Sequence, residues 1–357
     1  MPETFTTYQP VKPPARSWLR LFLGVFWRLT ILLLAFWLLK ITLQSSGADV
    51  FADLGKAKKP FLLIAFLAYG LIQMLAAWRW GLLLGVQQMH LPFLQAFKLT
   101  MVGNFFSLII PGAVSGDLLK IAYAGQYFGG RRTEILLTIM LDRILGLFAM
   151  FFAASLATLM YLPLLPELWR AHRLLGLAVL AANAGCLLCI LVYGLYRKKD
   201  FFLKSRLVRA GFAAVYRRLP GMLVNILERL QTAFGLYQKQ QVILGKHVLY
   251  SILVHLTNAF SLFAIGKALG ERAMSVTQYT LATQIANATG LLPLTPGGLG
   301  MRDAVSSAFF KAFNATPPEV AGSIPVVFSI IVVTWNLLGA LVFIFSPSLR
   351  KFKSTVA

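Results

Sequence analysis

Apolar residues along this chain fall in long runs, not at alternate positions, and charged stretches separate the runs. The clearest are roughly 24–43, 60–86, 134–162, 173–196, 246–268 and 321–346. A helix of about 20 apolar residues crosses about 30 Å of hydrocarbon, so each run predicts a membrane span. No strand-like alternation competes with them, which excludes a membrane β-barrel.

Two further apolar segments behave differently. One runs from Phe93 to Asp117 and the other from Thr277 to Asp303; both carry Pro-Gly breaks and polar residues in an apolar setting. Non-helical backbone at membrane depth is tolerated only where protein buries it or where it lines a cavity. Positive charge decides how these segments run. With Lys12, Arg16 and Arg20 inside, a full crossing by the first segment would put Arg131, Arg132 and the basic stretch 197–246 outside. That contradicts the excess of Lys and Arg in cytoplasmic loops. A segment that dips in and returns keeps these residues inside, and the same rule applied to the second segment places Arg350, Lys351 and Lys353 inside.

The fold class read from this pattern is all-α: a polytopic transmembrane helical bundle of six full spans plus two re-entrant segments entering from opposite faces. The segments also look alike. Asn104 precedes Pro111-Gly112 and Gly116-Asp117, while Asn287 precedes Pro296-Gly297-Gly298, Gly300 and Arg302-Asp303. This is the outline of an inverted-topology repeat, in which the site lies between the halves. The organisation expected is a cytoplasmic tail over 1–19, one membrane domain over 20–346 and a cytoplasmic tail over 347–357. Repeats are expected over 60–162 and 246–346, joined by a basic cytoplasmic segment, 197–245.

Composition sharpens the picture. The chain has 357 residues, 58% hydrophobic and 13% charged, with 34 Lys and Arg against 12 Asp and Glu. In this setting the basic excess reads as cytoplasmic loops, not nucleic-acid binding, since no recognition motif accompanies it. Within 197–219, Phe201, Phe202, Leu203, Leu207, Phe212 and Tyr216 alternate with bases. Either a helix on the anionic inner leaflet or an ordinary basic loop fits that stretch. No small-x-small cleavage site follows the first apolar run, so it is read as a retained helix. Cys186 and Cys189 share one apolar run and lack a second pair, which argues against a metal or redox centre. No cofactor is implied.

Ionisable groups within apolar runs are costly and mark candidate sites. Asp117, with Lys120 one turn on, follows the first break, and Arg302-Asp303 follows the second. Freed backbone groups and half-helix N-termini there can hold an anion such as a phosphate. Asp142 and Arg143 lie within 134–162 and read equally as site residues or as structural ion pairs. Arg79, between Trp78 and Trp80, reads equally as an interfacial snorkel. His255 and Asn258 read as hydrogen-bonded packing residues or as a proton path. The pairs Gly81/Gly85 and Gly112/Gly116 have the spacing for close helix packing. No phosphate loop GxxxxGK[ST], no GxSxG elbow and no HExxH helix is present.

Three motifs carry a resemblance: NFFSLIIPGAVSGDLLK (Asn104 to Lys120), LDRILGL (Leu141 to Leu147) and LLPLTPGGLGMRD (Leu291 to Asp303). In their order and spacing they resemble the lysylphosphatidylglycerol synthase transmembrane-region family, also called flippase-like membrane proteins, over roughly 20–346. Family members commonly show Gly-Gly-Asp where Ser115-Gly116-Asp117 stands, Arg where Lys120 stands, and Arg-Glu where Arg302-Asp303 stands. The resemblance implies a polytopic fold and a role in moving or handling lipids. Synthase members carry a further soluble aminoacyl-transfer domain. Only Arg350 to Ala357 follow the last apolar run here, so the expectation is the membrane module without that enzyme activity.

The functional expectation is a flippase-like transporter of an anionic or polar-headed lipid in the plasma (inner) membrane, with no ATP site. Lys120 and Arg302 would attract a headgroup phosphate, and Asp117, Asp142 or Asp303 would take up a proton or pair with the cations. Asn104, Pro111, Gly112, Gly116, Arg143, Asn287, Pro296, Gly297, Gly298 and Gly300 would line the path. A membrane-embedded lipid-modifying enzyme and a non-transporting partner of a lipid synthase or glycosyltransferase are the alternatives.

Overall fold

The computed structural model describes residues 50–109, 115–197, 235–290 and 300–346. Every element in it is helical. The first expected span (24–43), both tails, residues 198–219 of the basic stretch, Pro111-Gly112 and Pro296-Gly297-Gly298 lie outside the described residues.

Among the described residues the α-helices include α1 (Val50–Lys56), α2 (Lys59–Val86), α3 (Phe93–Ile109), α4 (Ser115–Tyr127), α5 (Arg132–Met160), α6 (Leu165–Ala171), α7 (Arg173–Arg197), α8 (Gln241–Ala268), α9 (Val276–Thr289), α10 (Met301–Ala312) and α11 (Val320–Phe345). Five of them, α2, α5, α7, α8 and α11, are long and apolar enough to cross a membrane. These are five of the six expected spans. Their outward faces keep large apolar side chains exposed, among them Leu63, Leu67, Ile144, Leu187 and Leu253, as a lipid-facing surface requires. The protein is an integral membrane protein. Two short helices, α1 and α6, occupy loops that the hydrophobic pattern leaves without structure.

Both broken segments double back. The backbones of α3 and α4 meet at Gly103 and Gly116, where a Cβ on Gly116 would strike the Gly103 carbonyl and the Ser107 hydroxyl. A continuous helix would hold two residues 13 apart at about 20 Å. Leu91, before α3, and Phe128, after α4, both pack against the cluster that holds Met89. In the second segment the rings of Tyr279 (α9) and Phe310 (α10) lie 5.1 Å apart, although residues 290–300 and most of both helices separate them in sequence.

Contacts between loops sort the molecule into two ends. At one, Lys58 N–H donates to the Ala268 carbonyl at 2.9 Å, Ser323 bonds Asp53, and Tyr161 packs on Phe313 at 5.2 Å. At the other, the Tyr237 hydroxyl donates to the Leu83 carbonyl at 3.0 Å, and Tyr237 packs with Leu137 and Leu141.

The packing partners repeat when the chain halves are exchanged. α2 packs on α3, α3 on α4 and α4 on α5; likewise α8 packs on α9, α9 on α10 and α10 on α11. Between the halves, α3 packs on α11 as α9 packs on α5, and α8 on α5 as α2 on α11. The centre is the α2–α8 pair. Ser261 bonds the Ala65 carbonyl and Arg79 bonds Ser251, so these two helices run antiparallel.

The glycine spacing separates two cases. Gly81 and Gly85 face open space, so their GxxxG pattern brings no helix close. Gly116 is instead a point of backbone contact. Gly116→Val is expected to cost at least about 1–3 kcal/mol, since a backbone carbonyl cannot move aside as a side chain can. Gly85→Ala is expected to be neutral or stabilising. Unfolding midpoints of the detergent-solubilised variants check both, and an equal midpoint for the two would remove the close contact as an explanation.

Candidate functional site

Each broken segment carries an acidic residue at the start of its returning helix, and each of these is tied to the following long helix. Asp117 is buried in the first turn of α4. Arg143 of α5 presents Nε at 3.0 Å and Nη2 at 2.7 Å to Asp117 Oδ2, and Lys120 Nζ lies 3.9 Å from Oδ1. In the other half Asp303 is buried in the first turn of α10. Ser329 of α11 donates to it at 2.7–2.8 Å, and the Gly300 N–H donates at 3.3 Å. The partners stand 26 residues apart in the chain in both halves. The halves thus share a framework and differ in charge: an arginine holds one carboxylate and a serine the other.

The first half concentrates charge. Asp142 accepts from Arg79 Nη2 at 3.1 Å through Oδ2, and His247 Nε2 lies 2.9 Å from Oδ1. Arg79 Nη1 donates to the Ser251 hydroxyl at 2.9 Å. Lys120 lies over the Trp80 ring, 5.4 Å from its centroid, and the Trp80 indole N–H reaches Thr138 at 3.2 Å. Arg79, Lys120 and Arg143 thus gather around Asp117 and Asp142, three cations beside two carboxylates among the described residues. A cluster with more cations than carboxylates, open at Arg143, whose side chain is 52% exposed, suits an anion.

The sequence left two readings open for Arg79, and the structure chooses. Its side chain is only 14% exposed and is paired, so it does not snorkel. Asp142 and Arg143, neighbours in sequence, pair in different directions and link α2, α8 and α4 through α5.

The second half is nearly neutral. Arg302 donates through Nη2 to Ser329 at 3.1 Å, lies with Nε 3.8 Å from Asp303, and covers the Phe328 ring at 5.0 Å. With Asp303 it borders a small recess that Asn258, Thr283, Asn287 and Ser306 complete. The Thr283 hydroxyl and the Asn258 amide oxygen in this recess are buried and lack a hydrogen-bond partner. Such atoms are uncommon in a buried setting, and the recess as it stands is too small to admit a water molecule. Pro325 of α11 also borders it and removes one helical hydrogen bond there.

Tyr69 and His255 join the two halves, and polar contacts within each half flank them. Asn104 donates to Gln73 at 2.7 Å, and the Tyr69 ring meets Phe328 at 5.8 Å, on which Arg302 also lies. His255 Nε2 lies 3.1 Å from the Gly146 carbonyl, and Gln284 donates to the His255 carbonyl at 3.1 Å, which is a packing role. Asn104, Gly116, Asp117, Lys120, Asp142 and Arg143 thus gather in or beside the first half, and Asn287, Gly300, Arg302 and Asp303 in the second.

Sequence reasoning missed His247, Ser251, Thr283, Gln73 and Ser329. A signal existed for two of them. His247, Ser251, His255 and Asn258 recur at i, i+4, i+8 and i+11, which is one face of α8. Among the described residues no group of three or more His, Cys, Asp or Glu is arranged to hold a metal.

The family model of the lysylphosphatidylglycerol synthase TM region matches residues 22–339. The chain belongs to that family. It is also similar to a UPF0104 membrane protein of Pyrococcus horikoshii, 23% identical over 265 residues, which cover 71% of this chain and 77% of the relative. A second UPF0104 membrane protein, from Methanothermobacter thermautotrophicus, is 24% identical over 278 residues, 76% of this chain and 80% of the relative. The three motifs quoted above, Asn104 to Lys120, Leu141 to Leu147 and Leu291 to Asp303, all fall inside the matched family range. The charged first half is built from residues of the first two motifs together with Arg79, His247 and Ser251.

Proposed function

We propose that this member of the lysylphosphatidylglycerol synthase transmembrane-region family is a flippase-like lipid transporter without an ATP site. It carries an anionic, phosphate-headed lipid between leaflets, driven by a gradient or by the lipid's own concentration difference. The observation that carries this reading is the pair of unlike half-sites on matching frameworks, one with surplus positive charge and one with unpartnered hydroxyl and amide groups.

The reading treats the two packing units as an inverted repeat. The antiparallel α2–α8 pair and the exchange of packing partners support this. Substrate sites of such transporters lie where the halves meet, near the midplane. The path would run from the Asp117–Asp142 cluster past Gln73 and Asn104 to the Arg302 recess. A lipid can keep its tails outside among the exposed apolar residues while its headgroup follows this path.

In this orientation the Tyr237 end faces the cytoplasm of the plasma membrane, as do both termini and the basic segment 197–245. The charge of residues 197–219 then attracts the anionic inner leaflet. A headgroup phosphate would reach the positive cluster first from that side.

The test is leaflet-resolved movement of a fluorescent phosphate-headed lipid in vesicles containing the purified protein. Movement is expected at least about tenfold above protein-free vesicles. A lipid whose mass changes during the assay would identify an enzyme instead. Movement at the protein-free rate, with unchanged mass, would favour the role of a partner to a separate lipid synthase or glycosyltransferase.

A further inference from the structure

The first half-site opens on the side of the molecule. Arg143 lies on the outward stripe of α5, where Leu136, Met140 and Ile144 recur with it at helical spacing and are all exposed. Leu118 of α4, next in the chain to the Asp117 that Arg143 bonds, is exposed as well. We propose that this α4–α5 face is a lateral portal at which an anionic, phosphate-headed lipid leaves the surrounding leaflet. Arg143 takes the phosphate, while Leu118, Met140 and Ile144 take the acyl chains. This rests on the transporter reading and names where its lipid enters.

The position of the charge sets Arg143 apart. It stands about three turns from the start of α5 and more than about four from its end. Among the described residues of the five spans, the other exposed charged side chains fall within about two turns of a helix end. Such side chains reach the headgroup layer by extending along the helix. Arg143 is denied that escape, because its Nε and Nη2 are both fixed on Asp117 Oδ2. Asp117 is itself buried in the first turn of α4, next to the turn of the doubled-back segment. A guanidinium held at that depth among exposed apolar side chains is costly in hydrocarbon. A phosphate drawn to it lowers the cost. The five N–H groups of a guanidinium form a planar fork that can serve a carboxylate and a phosphate together.

Behind the portal the charges lead inward. Asp117 accepts from Arg143 on Oδ2, and Lys120 Nζ lies 3.9 Å from its Oδ1. The Lys120 side chain is largely buried and lies over the Trp80 ring, next in the chain to the Arg79 that pairs with Asp142. A phosphate passing from Arg143 to Lys120 exchanges one cation for another around a single carboxylate.

The second half is closed at the matching place. Ser329, which holds Asp303 as Arg143 holds Asp117, is fully buried. The portal is therefore one-sided. Arg143 lies in the half of α5 nearer the Tyr237 end, so in the orientation proposed above the portal opens on the inner leaflet.

The test is site-specific photocrosslinking of the full-length protein in nanodiscs of phosphatidylcholine with a minor fraction of phosphatidylglycerol. Benzoylphenylalanine is placed in turn at Leu118, Met140 and Ile144, and at Leu187 of α7 and Leu253 of α8, which are exposed apolar positions on other faces. Mass spectrometry gives the ratio of anionic to zwitterionic lipid among the adducts. At the three portal positions this ratio is expected to exceed the bulk ratio about fivefold, the effect of one basic side chain on an anionic lipid. At Leu187 and Leu253 it is expected to match bulk. Arg143→Gln is expected to bring the portal ratio down to bulk, and Arg143→Lys to keep most of the excess. The wild-type comparison between faces stands even where Arg143→Gln does not fold. A portal ratio at bulk, in protein that moves lipid in the vesicle assay, overturns the portal and leaves the transporter reading intact. An equal excess at Leu187 and Leu253 also overturns it, because the attraction then belongs to the basic protein as a whole. An excess that survives Arg143→Gln removes Arg143 as the receiver of the phosphate. An excess without lipid movement keeps the lipid site and overturns the transporter reading.

Discussion

Asp142→Ala is expected to destabilise the protein by about 3–5 kcal/mol, among the largest effects of any single substitution here. The carboxylate is 13% exposed and balances Arg79, whose side chain is 14% exposed, while also accepting from His247. Removing it strands a guanidinium among α2, α5 and α8, at a depth where water cannot easily replace the lost partner. Removing both charges should be far milder. Arg79→Leu with Asp142→Leu leaves no stranded charge, and such exchanges are often neutral or stabilising. Unfolding midpoints of the purified proteins in detergent check the pair. A single variant within about 1 kcal/mol of wild type would mean that the charge finds solvent or another partner.

Asp117→Asn and Arg302→Gln are each expected to stop lipid movement in the vesicle assay while leaving the protein folded and monodisperse. The two act differently. Asp117 fixes Arg143 through two N–H groups on one oxygen, and an amide cannot accept them as a carboxylate does. Arg302 stands at the border of the recess and is itself held by Ser329 and Phe328. Loss of one charge-assisted hydrogen bond is worth about 1.5–3 kcal/mol, so each rate should fall at least about tenfold. Arg302→Lys should keep part of the activity that Arg302→Gln loses, because the charge stays and the planar fork does not. Wild-type movement by folded Asp117→Asn and Arg302→Gln proteins would place the path elsewhere and make both groups structural.

Much of the fold was legible in the sequence because a bilayer imposes a simple rule. About 20 apolar residues are needed to cross it, and the helices α2, α5, α7, α8 and α11 fall on five of the six runs that meet that rule. The doubling back of α3–α4 and α9–α10 was legible for a related reason: a full crossing would have carried Arg131 and Arg132 to the wrong side. Pro-Gly breaks and carboxylates in apolar surroundings are costly, so Asp117, Asp142 and Asp303 announced themselves singly.

Pairing was not legible. Arg79 and Asp142 are 63 residues apart in the chain, and Asp142 and His247 are 105 apart, so no local spacing brings them together. Adjacent Asp142 and Arg143 gave no hint of serving different partners, since a helix turns neighbouring side chains about 100° apart. The short helices α1 and α6 have too few residues for periodicity to register. Hydrophobic length and charge bias, which act along the chain, determined where this protein enters and leaves the membrane. Which charges neutralise one another was decided by the packing of α2 on α8 and of α5 on α2, α4 and α8, because residues so far apart in the chain meet only there.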